Sequence, residues 1–364
     1  MSTSTPPRLP RSDRLEQLAD QLWNTVSAGD EYSATGLVVR ALDEGEDPES
    51  VLLDVIAVVQ GKVGEEWVAN RLSVAQEHAA TAINERAITA LSAHPSVRTT
   101  VTRGRITVAC VDGEWHALPL RLLAEVLKLR GWQIDFLGAQ LPTPHLITHL
   151  HTTGADAVAL SSSIATRLPT AHAAVTACQA IGVPVLVGGA AFGPAGQYAK
   201  LLGADAWAPD ARAAADHLAR GPLPRPRLDH QQIDDLPHLT DQEYTLVTRN
   251  SDSLVRTVFT ALQDALPSMR TYSELQRERT AEDLASIVEF LATALYLDDE
   301  ELFTRFIAWT AQVLTSRGVP AQSLPPALDL LALELRDFPR ATRILHVATR
   351  AVTTHHSFEA GNTA

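Results

Sequence analysis

Residues 106–129 read ITVACVDGEWHALPLRLLAEVLKL, and this stretch decides the fold. It opens with a short apolar run, Ile106–Val111, whose length and composition are typical of a buried strand. A polar loop follows, and Leu118–Leu129 then carries apolar residues at helical spacing. A strand, a loop and a helix in this order predict the first part of a layered α/β domain.

The same alternation continues as far as residue 221. Four further strand-like runs are separated by helical stretches, and they lie at Trp132–Leu137, Ala155–Leu160, Val183–Val187 and Ala204–Trp207. Five strands separated by helices predict a doubly wound, five-stranded parallel sheet. Such sheets bind ligands beyond the carboxyl ends of their strands. The residues expected at those ends are Glu114, His116, Ser161, Ser163, Gly188 and Gly189.

The region before this domain has the period of helices. Leu15, Leu18, Leu22 and Val26 form one apolar stripe, and similar patterns up to residue 95 predict a four-helix bundle. Within it, Ser73-Val74-Ala75-Gln76 fits a capping box and marks the start of the last helix. Trp67 therefore ends one helix, and Glu77 and His78 lie in the first turns of the next. An antiparallel pair of helices brings these three residues to one end of the bundle.

Periodicity and linker composition together predict the domain organisation. We expect a disordered tail at residues 1–12, the bundle at 13–95, the α/β domain at 104–221 and a Pro-rich linker at 222–240. A second helical region, expected at 241–357, follows the linker. Its several helices suggest an all-α, globin-like or phycobiliprotein-like fold, which periodicity alone does not separate from other helical folds.

Composition excludes several classes of function. The 364 residues carry a net charge of -13, and no cluster of Lys and Arg suits a nucleic-acid backbone. No run approaches the length of about 20 apolar residues that a membrane span needs. Cys110 and Cys178 lie in apolar runs, which predicts buried, reduced thiols and a cytoplasmic protein.

Glu114-Trp115-His116 is the motif with the clearest chemistry. A carboxylate can hold one imidazole nitrogen, which leaves the other nitrogen to ligate a metal. The pattern resembles the cobalamin-binding domains of methionine synthase, corrinoid carrier proteins and CarH-type light-sensing regulators, in which Asp or Glu, any residue and His precede two residues and Gly. Here Pro119 replaces that Gly, and proline is tolerated in the first turn of a helix.

This resemblance implies a set of contacts to the cofactor. His116 would displace the cofactor's own base and ligate cobalt from below. The freed nucleotide tail would thread a slot lined by small residues at Ser161, Ser163, Gly188 and Gly189. A serine, either Ser161 or Ser163, would bond the carboxylate–imidazole pair.

Trp67 followed by Glu77 and His78 resembles the signature of the light-sensing regulators. The resemblance implies that Trp67 covers the upper face of adenosylcobalamin, that Glu77 bonds the adenosyl group, and that His78 ligates cobalt once this group has left. It implies a photoreceptor rather than an enzyme, with an unidentified signalling partner and at least a dimeric assembly. Because the bundle follows a short tail, DNA binding through a preceding helix-turn-helix is not expected. The alternatives are a corrinoid carrier of a methyltransferase system and a structural α/β domain with an empty site.

A cobalamin module followed by a helical module resembles the photocobilins, which bind adenosylcobalamin and biliverdin. This resemblance implies a bilin in the second helical region, where cations and polar groups would hold it. Our candidates are Tyr272, Arg277, Arg279, Trp309, Arg343 and His346. The sequence from Asp241 onwards contains no Cys, so a cysteine thioether to a bilin is excluded there. A haem in the same fold would use His346 as its axial ligand.

Overall fold

The structure is a computed structural model that describes residues 11–226, 236–319 and 321–361, with side chains as far as Thr353. The chain forms two compact units, one made of residues 11–163 and 174–226 and the other of 164–173 and 236–361. Most of the predicted tail and half of the predicted linker, at 1–10 and 227–235, lie outside the described residues. Arg11 and Ser12, expected in the tail, already belong to the first helix, so the prediction is wrong for these two residues.

The first unit begins with the predicted helical bundle. Its helices are α1 (Arg11–Ser27), α2 (Glu31–Asp43), α3 (Pro48–Ser50), a π-helical segment (Val51–Ile56), α4 (Ala57–Val68) and α5 (Val74–Ala93). The π-helical segment joins α3 directly to α4, so these form one helical rod and the bundle has four rods. Ser73 caps α5 through the predicted box with Gln76, which satisfies two backbone N–H groups at the start of this helix.

The five-stranded parallel sheet is confirmed. Its strands are β1 (Arg105–Cys110), β2 (Gln133–Gly138), β3 (Ala157–Ser161), β4 (Val185–Gly188) and β5 (Ala206–Ala208), in the order β2-β1-β3-β4-β5. Every pair in the sheet is parallel. The chain turns to opposite sides of β1 when it adds β2 and β3, so the loops after β1 and β3 face the crevice where such folds bind ligands.

Ser161 and Gly188 were predicted to follow strands, but they are the last residues of β3 and β4. Both strands extend one residue further than their apolar runs, because a backbone ladder does not require an apolar side chain.

Helices of the α/β domain connect successive strands and lead out of the last one. They are α6 (Leu118–Leu129), α7 (Thr143–Thr153), α8 (Leu168–Ala180), α9 (Gln197–Leu201) and α10 (Ala211–Ala219). Pro119 lies in the first turn of α6, as predicted, where its missing N–H breaks no helical hydrogen bond. Cys110 and Cys178 are buried, as predicted, and burial raises the pKa of each thiol to about 12.

The bundle and the α/β domain share one apolar core, which includes residues from α1, α2, the π-helical segment, α4 and α5, from the sheet, and from α6 and α10. Ion pairs join them at the edge of this core. Arg130 lies 2.8 Å from Glu49, and Arg212 lies 2.9 Å from Asp54. The hydrogen bond to Glu49 is the main cause of a raised pKa for Arg130, so this guanidinium stays charged. These contacts fix α3 and the π-helical segment against the end of α6 and the start of α10.

The second unit is helical where the structure describes it. Its longer elements are α11 (Glu243–Arg249), α12 (Ser251–Ala265), α13 (Glu274–Leu297), α14 (Glu300–Ser316), α15 (Leu324–Glu334) and α16 (Pro339–Gly361). Buried Glu243 accepts hydrogen bonds from the backbone N–H groups of Arg340 and Ala341, which begin α16. The all-α character is as predicted, while a globin-like or phycobiliprotein-like arrangement stays a prediction. No helix in the described part of the chain is both long and apolar enough to cross a membrane.

Candidate functional site

Glu114 is the centre of the hydrogen bonds in the crevice, and its side chain is fully buried. Its Oε1 accepts from the backbone N–H groups of Trp115 and His116, each at 2.9 Å, and lies 2.6 Å from the imidazole Nδ1 of His116. Its Oε2 accepts from the Ser162 hydroxyl at 3.2 Å and from the Ser163 backbone N–H at 2.7 Å. A buried carboxylate with this many donors is strongly held in one position.

His116 is thereby oriented with one ring nitrogen available. Because an ionised carboxylate only accepts hydrogen bonds, the Nδ1 of His116 donates to Glu114, and in the neutral imidazole Nε2 then keeps its lone pair. The side chain is 37% exposed, so Nε2 can be reached from the crevice. A single neutral imidazole can serve as an axial ligand to a metal that a macrocycle already holds.

The serine that bonds the carboxylate–imidazole pair is Ser162, and the prediction of Ser161 or Ser163 is wrong for this hydroxyl contact. Ser163 contributes through its backbone N–H, while Ser161 ends β3 and is buried. Successive side chains along an extended strand point to opposite faces, so a shift of one residue decides which hydroxyl faces Glu114. Because three serines follow one another, the sequence alone does not show which of them donates its hydroxyl to Glu114.

Gly189 lies where the loop after β4 crosses the loop after β3. Its φ is +101°, and a Cβ built on it would lie 2.2 Å from the backbone oxygen of Ser162. Hydrogen bonds from Ser162 N to Gly188 O and from Ala191 N to Ser162 O fasten the crossing at 3.1 and 3.2 Å. Because Gly189 has no side chain, the Ser162 backbone can approach it this closely. This is a second role for Gly189, beside the open slot for the nucleotide tail that the resemblance implies.

We expect Gly189→Ala to destabilise the protein by about 2–4 kcal/mol, because the methyl group meets backbone that cannot swing aside and the φ is strained for alanine. Gly203→Ala is the matched control, since Gly203 also has a positive φ of +69° but no atom within 4 Å of the built Cβ. Urea unfolding of both variants measures the difference. Equal losses of free energy of unfolding would contradict the close approach at Ser162.

Trp67, Glu77 and His78 lie at the same end of the α4–α5 pair, as predicted, because only residues 69–73 separate the two helices. The His78 Nδ1 lies 2.7 Å from Glu77 Oε2 and 3.0 Å from the carbonyl oxygen of Val74. His78 is exposed and Trp67 is half-buried. The bundle thus presents a second carboxylate–imidazole pair whose Nε2 is directed away from its hydrogen bonds.

Trp115 connects the two imidazoles, a role that sequence analysis missed. Its indole lies 4.1 Å from the His116 ring and 6.2 Å from the His78 ring, measured between ring centroids. It is 50% exposed, which is unusual for so large an aromatic side chain. Its place between Glu114 and His116 in the sequence was the signal that could have identified it.

The six residues proposed to hold a bilin lie at four places in the second unit: Tyr272 precedes α13, Arg277 and Arg279 lie on α13, Trp309 lies on α14, and Arg343 and His346 lie on α16. All of their side chains are exposed except that of Tyr272, which is half-buried. Arg279 pairs with Glu282, and Arg343 pairs with Asp298 and Glu300 on the surface. A buried polar group of this unit instead includes His172, whose Nδ1 lies 2.9 Å from the Tyr296 hydroxyl.

Comparisons with known proteins assign the first unit to a class. Residues 104–219 and residues 18–92 match two family models, each described as a B12 binding domain. The chain therefore carries a cobalamin-binding module made of the α/β domain and the helical bundle.

Individual relatives cover parts of the chain. It is 32% identical over 197 residues to the HTH-type transcriptional repressor CarA of Myxococcus xanthus, a match that covers 50% of this chain and 61% of the repressor. The chain thus spans about three fifths of that relative's length. Among solved structures, a monomethylamine corrinoid protein of Methanosarcina barkeri is 19% identical with a TM-score of 0.49, covering 56% of this chain and 98% of that chain. A cobalamin-binding protein of Desulfitobacterium hafniense DCB-2 is 20% identical with a TM-score of 0.32, covering 56% and 97%.

The residues of the crevice fit a cobalamin. His116 offers one imidazole nitrogen with its partner nitrogen held by a buried carboxylate, which is the arrangement that orients metal-ligating histidines in proteins. Gly188 and Gly189 add no side chains at the neighbouring strand end.

Proposed function

We propose that the protein is a cobalamin-dependent photoreceptor that binds adenosylcobalamin with His116 as the lower ligand of cobalt. The observation that carries the proposal is the pairing of two carboxylate–imidazole motifs through one indole. Glu114–His116 supplies the lower face, Glu77–His78 supplies the upper face, and Trp115 contacts both imidazole rings. A carrier of methyl groups needs only the first of these pairs.

Each residue has a defined task in this proposal. When bound, adenosylcobalamin supplies a cobalt–carbon bond that light breaks. Trp67 covers the upper face, and Glu77 bonds the adenosyl group. His78 offers Nε2 to cobalt once that position is vacated, since neutral imidazole is a good ligand for such metals. Ser161, Ser163, Gly188 and Gly189 leave space for the nucleotide tail.

Replacement of a bulky upper group by His78 would change the contacts between the bundle and the α/β domain. Because a ligand shifts an equilibrium by its different affinity for two states, loss of the adenosyl group favours a repacked bundle. A signalling partner, or a change in a homo-oligomer of at least two chains, carries this signal onwards. The similarity to a transcriptional repressor supports a regulatory rather than an enzymatic role.

The second unit extends the proposal to biliverdin. The photocobilin resemblance supports this extension, and the cysteine-free sequence from Asp241 onwards excludes a cysteine thioether. The polar candidates remain Tyr272, Arg277, Arg279, Trp309, Arg343 and His346. Absorption spectra of the full chain titrated with biliverdin test this extension. A shifted absorption of bound biliverdin supports it, and failure to bind even at high biliverdin concentration contradicts it.

Absorption spectra and size-exclusion profiles before and after illumination test the photoreceptor. Free adenosylcobalamin also responds to light, so the informative result is a product spectrum that differs from the free cofactor's and depends on His78. We expect His78→Ala to retain dark binding and to lose this product spectrum. A protein that binds methylcobalamin stably, ignores adenosylcobalamin and keeps one size in light and dark is the carrier instead.

A further inference from the structure

A chain of four side chains runs from the interior of the bundle to the Glu77–His78 pair. Asn84 Nδ2 donates to Gln60 Oε1 at 2.8 Å, and Gln60 Nε2 donates to the Thr81 hydroxyl at 2.8 Å. The Thr81 hydroxyl donates to Glu77 Oε1 at 3.0 Å. These hydrogen bonds link α4 to α5 about one turn away from the end that carries His78.

The carboxylate of Glu77 fixes the direction of every bond in this chain. An ionised carboxylate only accepts hydrogen bonds, so the Thr81 hydroxyl donates its one proton to Glu77. The Thr81 oxygen must therefore accept the hydrogen bond from Gln60. The amide nitrogen of Gln60 therefore faces Thr81, and the amide oxygen of Gln60 faces Asn84. The Asn84 side chain is fully buried, and its Oδ1 has no hydrogen-bond partner among the described residues. A buried oxygen without a hydrogen-bond partner lowers the stability of the folded protein, so this series of hydrogen bonds is not explained by stability alone.

Thr81 departs from the habit of threonines in helices. Thr89 on the same helix donates to the backbone oxygen of Glu85, four residues earlier, and Thr148 and Thr152 on α7 do the same. The equivalent acceptor for Thr81 is the backbone oxygen of Glu77, but its hydroxyl donates to the Glu77 side chain. The hydroxyl is thus directed at the carboxylate, with Gln60 holding it from the other helix.

We propose that Gln60 and Thr81 are positioning residues that hold Glu77 against His78 and so keep the imidazole Nε2 available as the upper ligand. This inference rests on the proposed function of His78. Glu77 Oε1 is tied to Thr81, which leaves Oε2 for the His78 Nδ1 at 2.7 Å. Without that tie the carboxylate can turn to solvent, since Glu77 is only half-buried. The same logic, a fixed carboxylate behind an imidazole, holds at Glu114, where backbone N–H groups and Ser162 supply the fixation.

The first test uses the cofactor-free protein and needs no light. Nitrogen-15 NMR of histidine-labelled protein reports which ring nitrogen of His78 carries the proton, with His78→Gln used to assign the signal. We expect the Nδ1–H form in the wild type, a loss of this preference in Thr81→Val, and its recovery in Thr81→Ser. Thr89→Val is the matched control and leaves the preference unchanged. If Thr81→Val also leaves it unchanged, the carbonyl oxygen of Val74 suffices to hold His78 and the inference is wrong.

The second test uses hydroxocobalamin added in the dark. We expect Thr81→Val and Gln60→Met to reduce the fraction of cobalt ligated by His78 roughly tenfold or more, the usual effect of removing a group that supports a metal-bound histidine. Thr81→Ser restores it, and Thr89→Val matches the wild type. Unchanged ligation in Thr81→Val overturns the inference. A protein that shows these effects but no light response with adenosylcobalamin contradicts the photoreceptor and keeps the positioning role.

Discussion

His116→Ala is expected to lower the affinity for cobalamin by at least 10–100-fold, because the change removes the metal-binding nitrogen itself and loss of merely supporting groups already has effects of this size. The side chain is 37% exposed, so its removal leaves a small surface gap rather than a cavity in the core. The variant should therefore remain folded. Isothermal titration and the dark absorption spectrum measure the loss, and bound cofactor should retain its own base on cobalt.

Two controls accompany this variant. His151→Ala removes an exposed histidine in the last turn of α7 and should leave affinity and spectrum unchanged. Added imidazole should restore part of the lower-ligand spectrum in His116→Ala. An unchanged dark spectrum in His116→Ala would refute the assignment of the lower ligand.

Glu114→Ala is expected to lower the free energy of unfolding by roughly 2–4 kcal/mol, because a buried hydrogen-bond donor that loses its acceptor costs about 1–3 kcal/mol. The carboxylate is fully buried, and its removal leaves the donors at Trp115, His116, Ser162 and Ser163 without their acceptor. The imidazole of His116 also loses its fixed orientation, so cofactor affinity falls together with stability. Urea unfolding and cobalamin titration measure the two effects.

Glu125→Ala is the matched control for loss of a buried acid. Glu125 is 3% exposed and lies 3.0 Å from Lys128, whose side chain is 42% exposed and can return to water. We expect it to change cobalamin affinity by less than twofold, whatever its effect on stability. If Glu114→Ala unfolds at the same urea concentration as the wild type, the proposed hydrogen-bond network is wrong.

The sequence predicted the parts of this protein that depend on local pattern. The five strands follow from short apolar runs, and the start of α5 follows from the Ser73 and Gln76 box, because both features are encoded by neighbouring residues. The acid–imidazole motif predicted a Glu114–His116 contact for the same reason. The bond is made between residues two positions apart, and the turn before them places both in the crevice.

Contacts between residues far apart in the sequence could not be predicted from the sequence. The selection of Ser162 over its neighbours depends on where β3 ends, to within one residue. Gln60 and Thr81 lie 21 positions apart on different helices, and no motif of either helix marks them. Their chemistry becomes visible only when the packing of α4 on α5 sets a donor against an acceptor.

The two imidazoles of the module are held in different ways, and we call the loop that carries His116 the floor and the start of α5 that carries His78 the cover. The floor is fastened by the sheet, by the backbone bonds where Gly189 crosses Ser162 and by Glu114, so the position of His116 is closely fixed. The cover presents His78 from the first turn of α5, held by the Ser73 cap and by side chains. In the proposed photoreceptor, rearrangement after loss of the upper group is therefore expected at the start of α5 rather than at His116.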